Sequence, residues 1–270
     1  MDLDLKGKRA LVTGSSSGLG AAIALELASE GVAVAVHGRD KARAEQTSRA
    51  VAALGVETVV TSGDLMKDED AARVADAALE KLGGIDILVN NAGAVLRIDN
   101  PDWLEVKPQE WLDSFSLNVG AAVRLTQRLA PAMCERGWGR IINISSTSGS
   151  QMRGGLIDYG AAKAGVDNMT VNLSKLLAPS GVTVNAVIPG TILTPAVERW
   201  LNTLRRQKGW PDDFEENQRV YTTDHYPQPV KRLGKPREIA AAVAFLASPL
   251  SGYTTGALLR IDGGTASSGA

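Results

Sequence analysis

The chain has 270 residues, a formal net charge of −1, one cysteine and two histidines. A balance so near neutral gives no electrostatic bias toward nucleic acid or an anionic membrane, and the length permits a substantial core. Cys134 alone excludes an internal disulfide, and histidines as far apart as His37 and His225 do not suggest a zinc site, so no metal is expected.

The chain opens on MDLDLKGKRA, which is charged and lacks an apolar core, so it does not read as a signal peptide. A first strand, Arg9–Thr13, runs straight into Thr13-Gly14-Ser15-Ser16-Ser17-Gly18-Leu19-Gly20 and a helix over Leu19–Glu30. Gly14 permits a tight turn, Gly18 a close backbone approach to a ligand, and Gly20 the packing of helix on sheet. Free N–H groups and the positive dipole end of that helix suit a pyrophosphate. The spacing is G-x-x-x-G-x-G rather than G-x-G-x-x-G, and the lysine of an ATP- or GTP-binding loop is missing. Taken alone the motif is only a glycine-rich turn; its place between first strand and first helix gives it weight.

A second strand, Val32–His37, ends in His37-Gly38-Arg39-Asp40. Enzymes that choose NAD commonly place an acid at this strand end, whereas an arginine suits the 2′-phosphate of NADP. Gly38 is read as leaving room, Arg39 as a phosphate partner, and Asp40 as the cap of the next helix. NADP(H) is therefore preferred, with NAD(H) possible. Helices at Lys41–Leu54 and Glu69–Leu82 alternate with strands at Val56–Thr61 and Ile85–Asn90, the latter ending in Asn90-Asn91-Ala92-Gly93. The acidic run Asp68–Asp70 reads as a solvated helix start.

The helical run EWLDSFSLN brings Asn118, and a strand at Arg140–Ser145 brings Ser146. Thirteen residues on, Tyr159 and Lys163 stand four apart in a helical stretch, which puts both side chains on one face. A free phenol has a pKa of about 10, and an adjacent ammonium lowers it. Tyr159 would then donate a proton to a carbonyl, or take one from an alcohol. A Y-x-x-x-K pair alone is common on protein surfaces. Here Ser146 could hold the substrate oxygen against Tyr159, and Asn118 could close a proton relay. Met152, Leu156 and Ile157 read as apolar pocket or simple packing residues.

Strand Val182–Ile188 leads to Pro189-Gly190-Thr191, and the last strand is Ala257–Ile261. Between them, the polar segment from Pro195 to Arg232 holds Trp200, Trp210, Phe214, Tyr221 and Tyr226, five of the chain's twelve aromatics. So long a connection reads as a substrate lid or a contact with a neighbouring subunit, with His225 at its surface and Asp212–Glu216 as a helix start. The longest apolar stretch, around Ile239–Ala247, is too short to span a bilayer. Together the alternation predicts one α/β domain over 1–270: a Rossmann-like, doubly wound, parallel seven-stranded sheet with helices on both faces and an insert at 195–231. Thr13, Asn90, Ser146 and Pro189 all fall at carboxyl ends of its strands, where open sheets bind ligands. A cytoplasmic enzyme fits this composition.

TGSSSGLG, NNAG, Asn118, Ser146 with Tyr159 and Lys163, PGT and the closing RLGKPREIAAAVAFLAS…GALLRIDGG run in one order from Lys6 to Gly264. Together they resemble the short-chain dehydrogenase/reductase family, closest to its 3-oxoacyl-[acyl-carrier-protein]-reductase-like and sugar-dehydrogenase-like members. The resemblance implies an NAD(P)H-dependent oxidoreductase. Tyr159 would be the general acid/base, Lys163 its pKa-lowering partner and a ligand of the nicotinamide ribose. Ser146 would polarise the substrate carbonyl and Asn118 position a relay water. Gly14, Ser15, Ser16, Ser17, Gly18, Leu19 and Gly20 would hold the cofactor phosphates. Gly38 and Arg39 would meet its ribose, Asp64 and Leu65 would lie near adenine, and Asn91, Ala92 and Gly93 beside the cofactor. Ile188, Pro189, Gly190, Thr191 and Thr194 would sit toward the nicotinamide amide. It also implies a homotetramer (or homodimer) paired through the helices bearing Asn118 and Tyr159 and through the last strand, and a small carbonyl or alcohol substrate. The 195–231 insert is longer than in compact relatives. A non-catalytic dinucleotide-binding regulator, or an epimerase or dehydratase, stand as alternatives.

Overall fold

A computed structural model of the protein describes residues 2–96, 103–151 and 156–266. Its seven strands are β1 (Arg9–Val12), β2 (Ala33–His37), β3 (Thr58–Thr61), β4 (Ile87–Asn90), β5 (Gly139–Ile144), β6 (Val182–Pro189) and β7 (Leu258–Ile261). They form one sheet in the order β3-β2-β1-β4-β5-β6-β7, every pair parallel. The sheet is the one the apolar runs predict. β5 and β6 are buried along their whole length, which continuous apolar runs require of central parallel strands.

Successive side chains of each strand point to opposite faces, and each face has its own helices. On one side Val12, Val34, Ile142 and Val187 pack with α1 (Gly18–Ser29) and α9 (Pro236–Ala247), through Ile23, Leu27, Ile239 and Val243. On the other, Leu11, Leu88, Ile141 and Val184 pack with α3 (Asp68–Leu82) and α5 (Ala121–Glu135), through Val74, Ala78, Leu125, Leu129 and Met133. β1 pairs with both β2 and β4, so the chain reverses its direction of travel across the sheet there. A crevice opens outside the carboxyl ends of such strands.

Several strands are shorter than their apolar runs. β4 starts at Ile87 rather than Ile85 because Asp86 is held by Arg9, whose Nε donates to Oδ2 at 2.8 Å. Asp40 caps α2 (Lys41–Ala52), accepting from the Arg43 N–H at 3.2 Å, as expected. α3 starts on Asp68, Glu69 and Asp70, and Asp213 caps α8 (Phe214–Val220). α4 (Pro108–Phe115) joins α5 through a π-helical turn, Ser116–Gly120, at Asn118; α6 (Ile157–Leu177) carries Tyr159 and Lys163.

The 195–231 segment departs from its reading as a long connection. It folds into α7 (Pro195–Lys208), α8 and a π-helical turn over Tyr221–His225. Leu201, Tyr221 and Leu233 are buried together, with Val197, Trp200, Leu204, Phe214 and Tyr226 packed around them. Val197, Trp200, Leu201 and Leu204 recur at helical spacing, but a sequence full of charge hides that stripe. No helix among the described residues is long and apolar enough to cross a membrane.

Candidate active site

In sheet order, the carboxyl ends present Asp64 after β3, Arg39 after β2, Gly14 after β1, Asn91 after β4, Ser146 after β5 and Thr191 after β6. The motifs scattered along the chain therefore line one edge. Two of them are bonded to each other. Thr13 Oγ1 accepts from the Asn91 and Ala92 N–H groups at 2.9 and 2.8 Å, and Asn91 Nδ2 donates to the Thr13 carbonyl at 2.8 Å. Gly20 packs on the turn itself: a Cβ there would collide with the Gly14 carbonyl and lie 2.5 Å from Asn91 Nδ2. Ser17 stands at the start of α1 but makes no side-chain cap, and the first turn holds no acid. The helix's leading N–H groups are thus left for an anion, as a dinucleotide pyrophosphate requires.

A Cβ at Gly38 would lie 2.6 Å from Ser16 Cβ, so a bare residue at that position lets β2 close onto the turn. Arg39 is exposed, with no acid paired to it among the described residues, and Asp40 is committed to its cap. At β3's end, the Asp64 carboxylate accepts from the Met66 N–H at 3.1 Å. Leu65 is buried, its carbonyl accepting from Arg124.

The second group gathers beyond β4 and β5. Asn118 Oδ1 accepts from the Ala94 N–H at 3.2 Å, while its Nδ2 donates to the Ala94 and Ser114 carbonyls at 3.1 and 3.0 Å. A Cβ on Gly93 would lie 2.6 Å from Asn118 Oδ1 and 3.2 Å from Lys163 Nζ, so these three residues meet. Lys163 donates to the Ile144 carbonyl at 2.8 Å, and its Nζ stands 5.5 Å from the Tyr159 ring centre. Ser146 accepts from the Ser148 N–H at 3.2 Å and shares a hydrogen bond with the Tyr159 phenol.

The electrostatics differ from expectation. Burial pushes the Tyr159 phenol up to about 12, against the opposing pull of the Ser146 hydrogen bond. Burial also pushes Lys163 down to about 8, with Asp167, one helical turn further along α6, pulling it back up. For Tyr159, desolvation outweighs the Ser146 hydrogen bond, and this favours a neutral phenol in the free protein. Such a phenol carries the proton that reduction of a carbonyl needs.

On the far side, Pro189 ends β6, following the buried Ile188, and the Gly190 N–H donates to the Ile261 carbonyl at 3.1 Å. Thr191 Oγ1 lies 3.2 Å from the Tyr221 hydroxyl, and Thr194 caps α7 by accepting from the Val197 N–H at 3.3 Å. Tyr226 donates to Gln151 Oε1 at 2.5 Å, and Gln151 Nε2 donates to the Thr265 carbonyl at 2.6 Å. The insert, the β5–α6 connection and the chain beyond β7 are thereby tied together. Leu156 and Ile157 lie half-buried at the start of α6, Met152 falls outside the described residues, and His225 is exposed against Trp210.

Three residues here belong to no motif: His37, Gln151 and Asp167. Asp167 was legible, standing four residues past Lys163 by the same rule that pairs Lys163 with Tyr159. His37 and Gln151 act through contacts distant in sequence, which no spacing reveals.

A sheet edge that pairs a phosphate-binding turn with a half-buried Ser and Tyr and a buried Lys defines a dinucleotide-dependent oxidoreductase acting at a carbonyl. Comparison with known proteins agrees. A family model described as enoyl-(acyl carrier protein) reductase matches residues 14–266. Nodulation protein G of Azospirillum brasilense is 39% identical over 260 residues, covering 95% of this chain and 97% of that protein. The 3-oxoacyl-[acyl-carrier-protein] reductase of Vibrio cholerae is 37% identical over 262 residues, covering 97% and 98%. Among solved structures, L-sorbose reductase of Gluconobacter frateurii, complexed with NADPH and L-sorbose, superposes with a TM-score of 0.91 at 32% identity, covering 98% of each chain. The chain belongs to the short-chain dehydrogenase/reductase family, as a 3-oxoacyl-[acyl-carrier-protein]-reductase-like member. It is an NAD(P)H-dependent oxidoreductase that interconverts carbonyl and alcohol; nothing in these likenesses supports a non-catalytic regulator, an epimerase or a dehydratase.

Proposed function

We propose that this enzyme reduces a small polar ketone with NADPH, using Tyr159 as the proton donor. The observation that carries this reading is the meeting of Ser146, Tyr159, Lys163 and Asn118 beside Gly93, next to an uncapped helix start. When bound, NADPH supplies the hydride that adds to the carbonyl carbon. Ser146 and Tyr159 hydrogen-bond the carbonyl oxygen, and the Tyr159 O–H proton passes to that oxygen as negative charge grows on it. Lys163 favours the phenolate left behind, and Asn118 orients the water that returns the proton. Residues 14–20 hold the pyrophosphate, Gly38 and Arg39 the adenosine ribose, and Asp64 and Leu65 the adenine. Asn91, Ala92 and Gly93 flank the nicotinamide ribose with Tyr159 and Lys163, and Pro189, Gly190, Thr191 and Thr194 the amide end.

NADPH over NADH is supported by an exposed Arg39 with no competing acid and by an Asp40 already spent on α2. The NADPH of the sorbose reductase structure points the same way. A polar substrate is supported by the Tyr226–Gln151–Thr265 chain, which puts hydroxyl and amide groups on the connection that follows Ser146. Exposed apolar side chains on two faces support a homo-oligomer, and the family reading a cytoplasmic one.

The test is the loss of reduced-nicotinamide absorbance with L-sorbose and other ketoses, set against acetoacetyl thioesters and simple ketones, with NADPH and NADH in turn. Turnover of ketoses with NADPH is expected. Preference for the thioesters would overturn the substrate class, and equal use of NADH would overturn the cofactor choice. Arg39→Ala should raise KM for NADPH at least tenfold more than for NADH, roughly the worth of one charge-assisted contact.

A further inference from the structure

His37 ends β2 almost fully buried, and all its polar atoms are used. Its backbone N–H donates to Ser15 Oγ at 2.9 Å and its carbonyl accepts from the Ser15 N–H at 2.8 Å. Its Nδ1 lies 3.0 Å from the Gly14 nitrogen and its Nε2 3.2 Å from the Gly63 carbonyl. The chemistry of these partners fixes the ring. A backbone N–H can only donate, so Nδ1 accepts and carries no proton; Nε2 then holds the proton and donates to Gly63. One side chain thus joins the turn that would hold a pyrophosphate to the loop that leads into Asp64 and Leu65.

We propose that His37, neutral and protonated on Nε2, is a positioning residue for the dinucleotide: it braces the phosphate-binding turn against the β3–α3 loop, and its protonation releases that turn. An imidazolium presents N–H on both nitrogens, so it would face the Gly14 N–H donor to donor and leave that group unmet. The surroundings favour the neutral ring. Burial pushes its pKa down first, and Arg39 adds to this, while the Gly63 carbonyl pulls it up. No carboxylate pairs with His37 among the described residues. Beyond Gly63, Asp70 is engaged by the Asp64 N–H and Arg73; at the head of α2, Lys41 pairs with Glu45; and the first turn of α1 holds no acid. The brace therefore holds at neutral pH and fails only under acid.

This inference rests on the dinucleotide reading of the turn, and the experiment separates the two. Dissociation constants for NADPH and NADH are measured by nicotinamide fluorescence from pH 5 to 8, on wild type, His37→Leu and His37→Asn. Asparagine can offer an oxygen where Nδ1 stood. Wild type should lose affinity for both cofactors under acid, at a pH below the unperturbed histidine value of about 6.5, because burial lowers the ring's pKa. NADH matters as a control because the 2′-phosphate of NADPH itself titrates at about pH 6. At pH 7.5, His37→Leu should bind both cofactors roughly tenfold more weakly, the effect of one buried donor left unpaired. Its kcat at saturating cofactor should stay within about twofold. His37→Asn should recover most of the affinity and lose the acid-dependent fall with NADH. Unchanged binding by His37→Leu, or an NADH affinity in wild type that ignores pH, would overturn the brace alone. Weakening confined to NADPH would overturn it too, making His37 a reader of the 2′-phosphate. A wild type that binds neither cofactor would sink the dinucleotide reading and this inference with it. Should His37→Leu fail to fold, His37→Asn and the wild-type pH series decide.

Discussion

Lys163 sits where an ammonium is costly. Its pKa falls from an ordinary 10.5 to about 8 because burial penalises the charge. The unfolded chain therefore holds this proton more tightly than the folded one, and folding stability rises with pH between those two values. Below about pH 8 the full penalty applies. Lys163→Met should thus be as stable as wild type at pH 7 or more so, by up to about 3 kcal/mol, with the advantage fading as pH climbs toward 10.5. Thermal unfolding of both proteins across that range checks this; a variant that melts several degrees lower at pH 7 would mean the bond to the Ile144 carbonyl outweighs desolvation. Turnover should nonetheless collapse, the usual exchange of stability for activity at a working site. Tyr159→Phe should cost about 10²–10⁴-fold in kcat, the range for a general acid, and leave the NADPH dissociation constant within about twofold. Much residual turnover in the single-turnover assay would assign the proton to another donor. The pairing of Tyr159 with Lys163 was legible because helical periodicity is written in the sequence. The direction of their pKa values was not, because burial is set by Ile144, Gly93 and Asn118, which arrive from elsewhere in the chain.

At the scale of elements, the alternation of strand and helix was read closely, since β-branched runs and amphipathic stretches each carry their own period. The insert was not. Its helices obey the same period, but Arg199, Arg205, Arg206 and Lys208 dominate α7, and its apolar stripe packs with Tyr221 and Leu233 in a small cluster separate from the two main ones. Trp200 meets Tyr221 edge-on at 5.3 Å, and Tyr221 stacks on Tyr226 at 5.7 Å, so this small core is aromatic where the main core is aliphatic. Leu201 is fully buried at its centre. Leu201→Ala should remove about 2–4 kcal/mol from the packing of this element. Because the sheet does not depend on it, the loss should be local: protease should cut within 195–231 while the main unfolding transition moves by little. A single transition that falls as a whole would mean insert and sheet unfold as one. Gly20→Ala probes the opposite end of the site. Its Cβ would press on the Gly14 carbonyl, which is backbone and cannot swing aside, so a loss of about 1–3 kcal/mol is expected in the same unfolding assay, together with weaker cofactor binding.

At the scale of the whole molecule, β7 stands at one end of the sheet. Among the described residues it pairs with β6 alone, and around it Tyr253 is fully exposed, with Leu250, Phe245 and Leu258 also uncovered. Leu112 and Phe115 on α4 and Leu176 on α6 are also exposed, on the helices that carry the approach to Asn118 and Tyr159. Single exposed apolar residues mean little, but clusters on a free sheet edge and on neighbouring helices are what an interface covers. Closed symmetric assembly through two different faces gives a tetramer, and either face alone a dimer. Tyr253→Asp with Leu250→Asp should break the β7 contact and halve the mass seen by light scattering, leaving dimers held through α4 and α6. Leu112→Asp with Leu176→Asp should halve it along the other axis. A wild type that scatters as a monomer at micromolar concentration would end this reading. The two variants should also differ in activity. The chain beyond β7 carries Thr265, whose carbonyl receives Gln151 and, through it, Tyr226. Loosening the β7 face should therefore raise KM for the ketone with kcat largely kept, because it frees the wall of the substrate site and leaves Ser146, Tyr159 and Lys163 on β5 and α6 untouched.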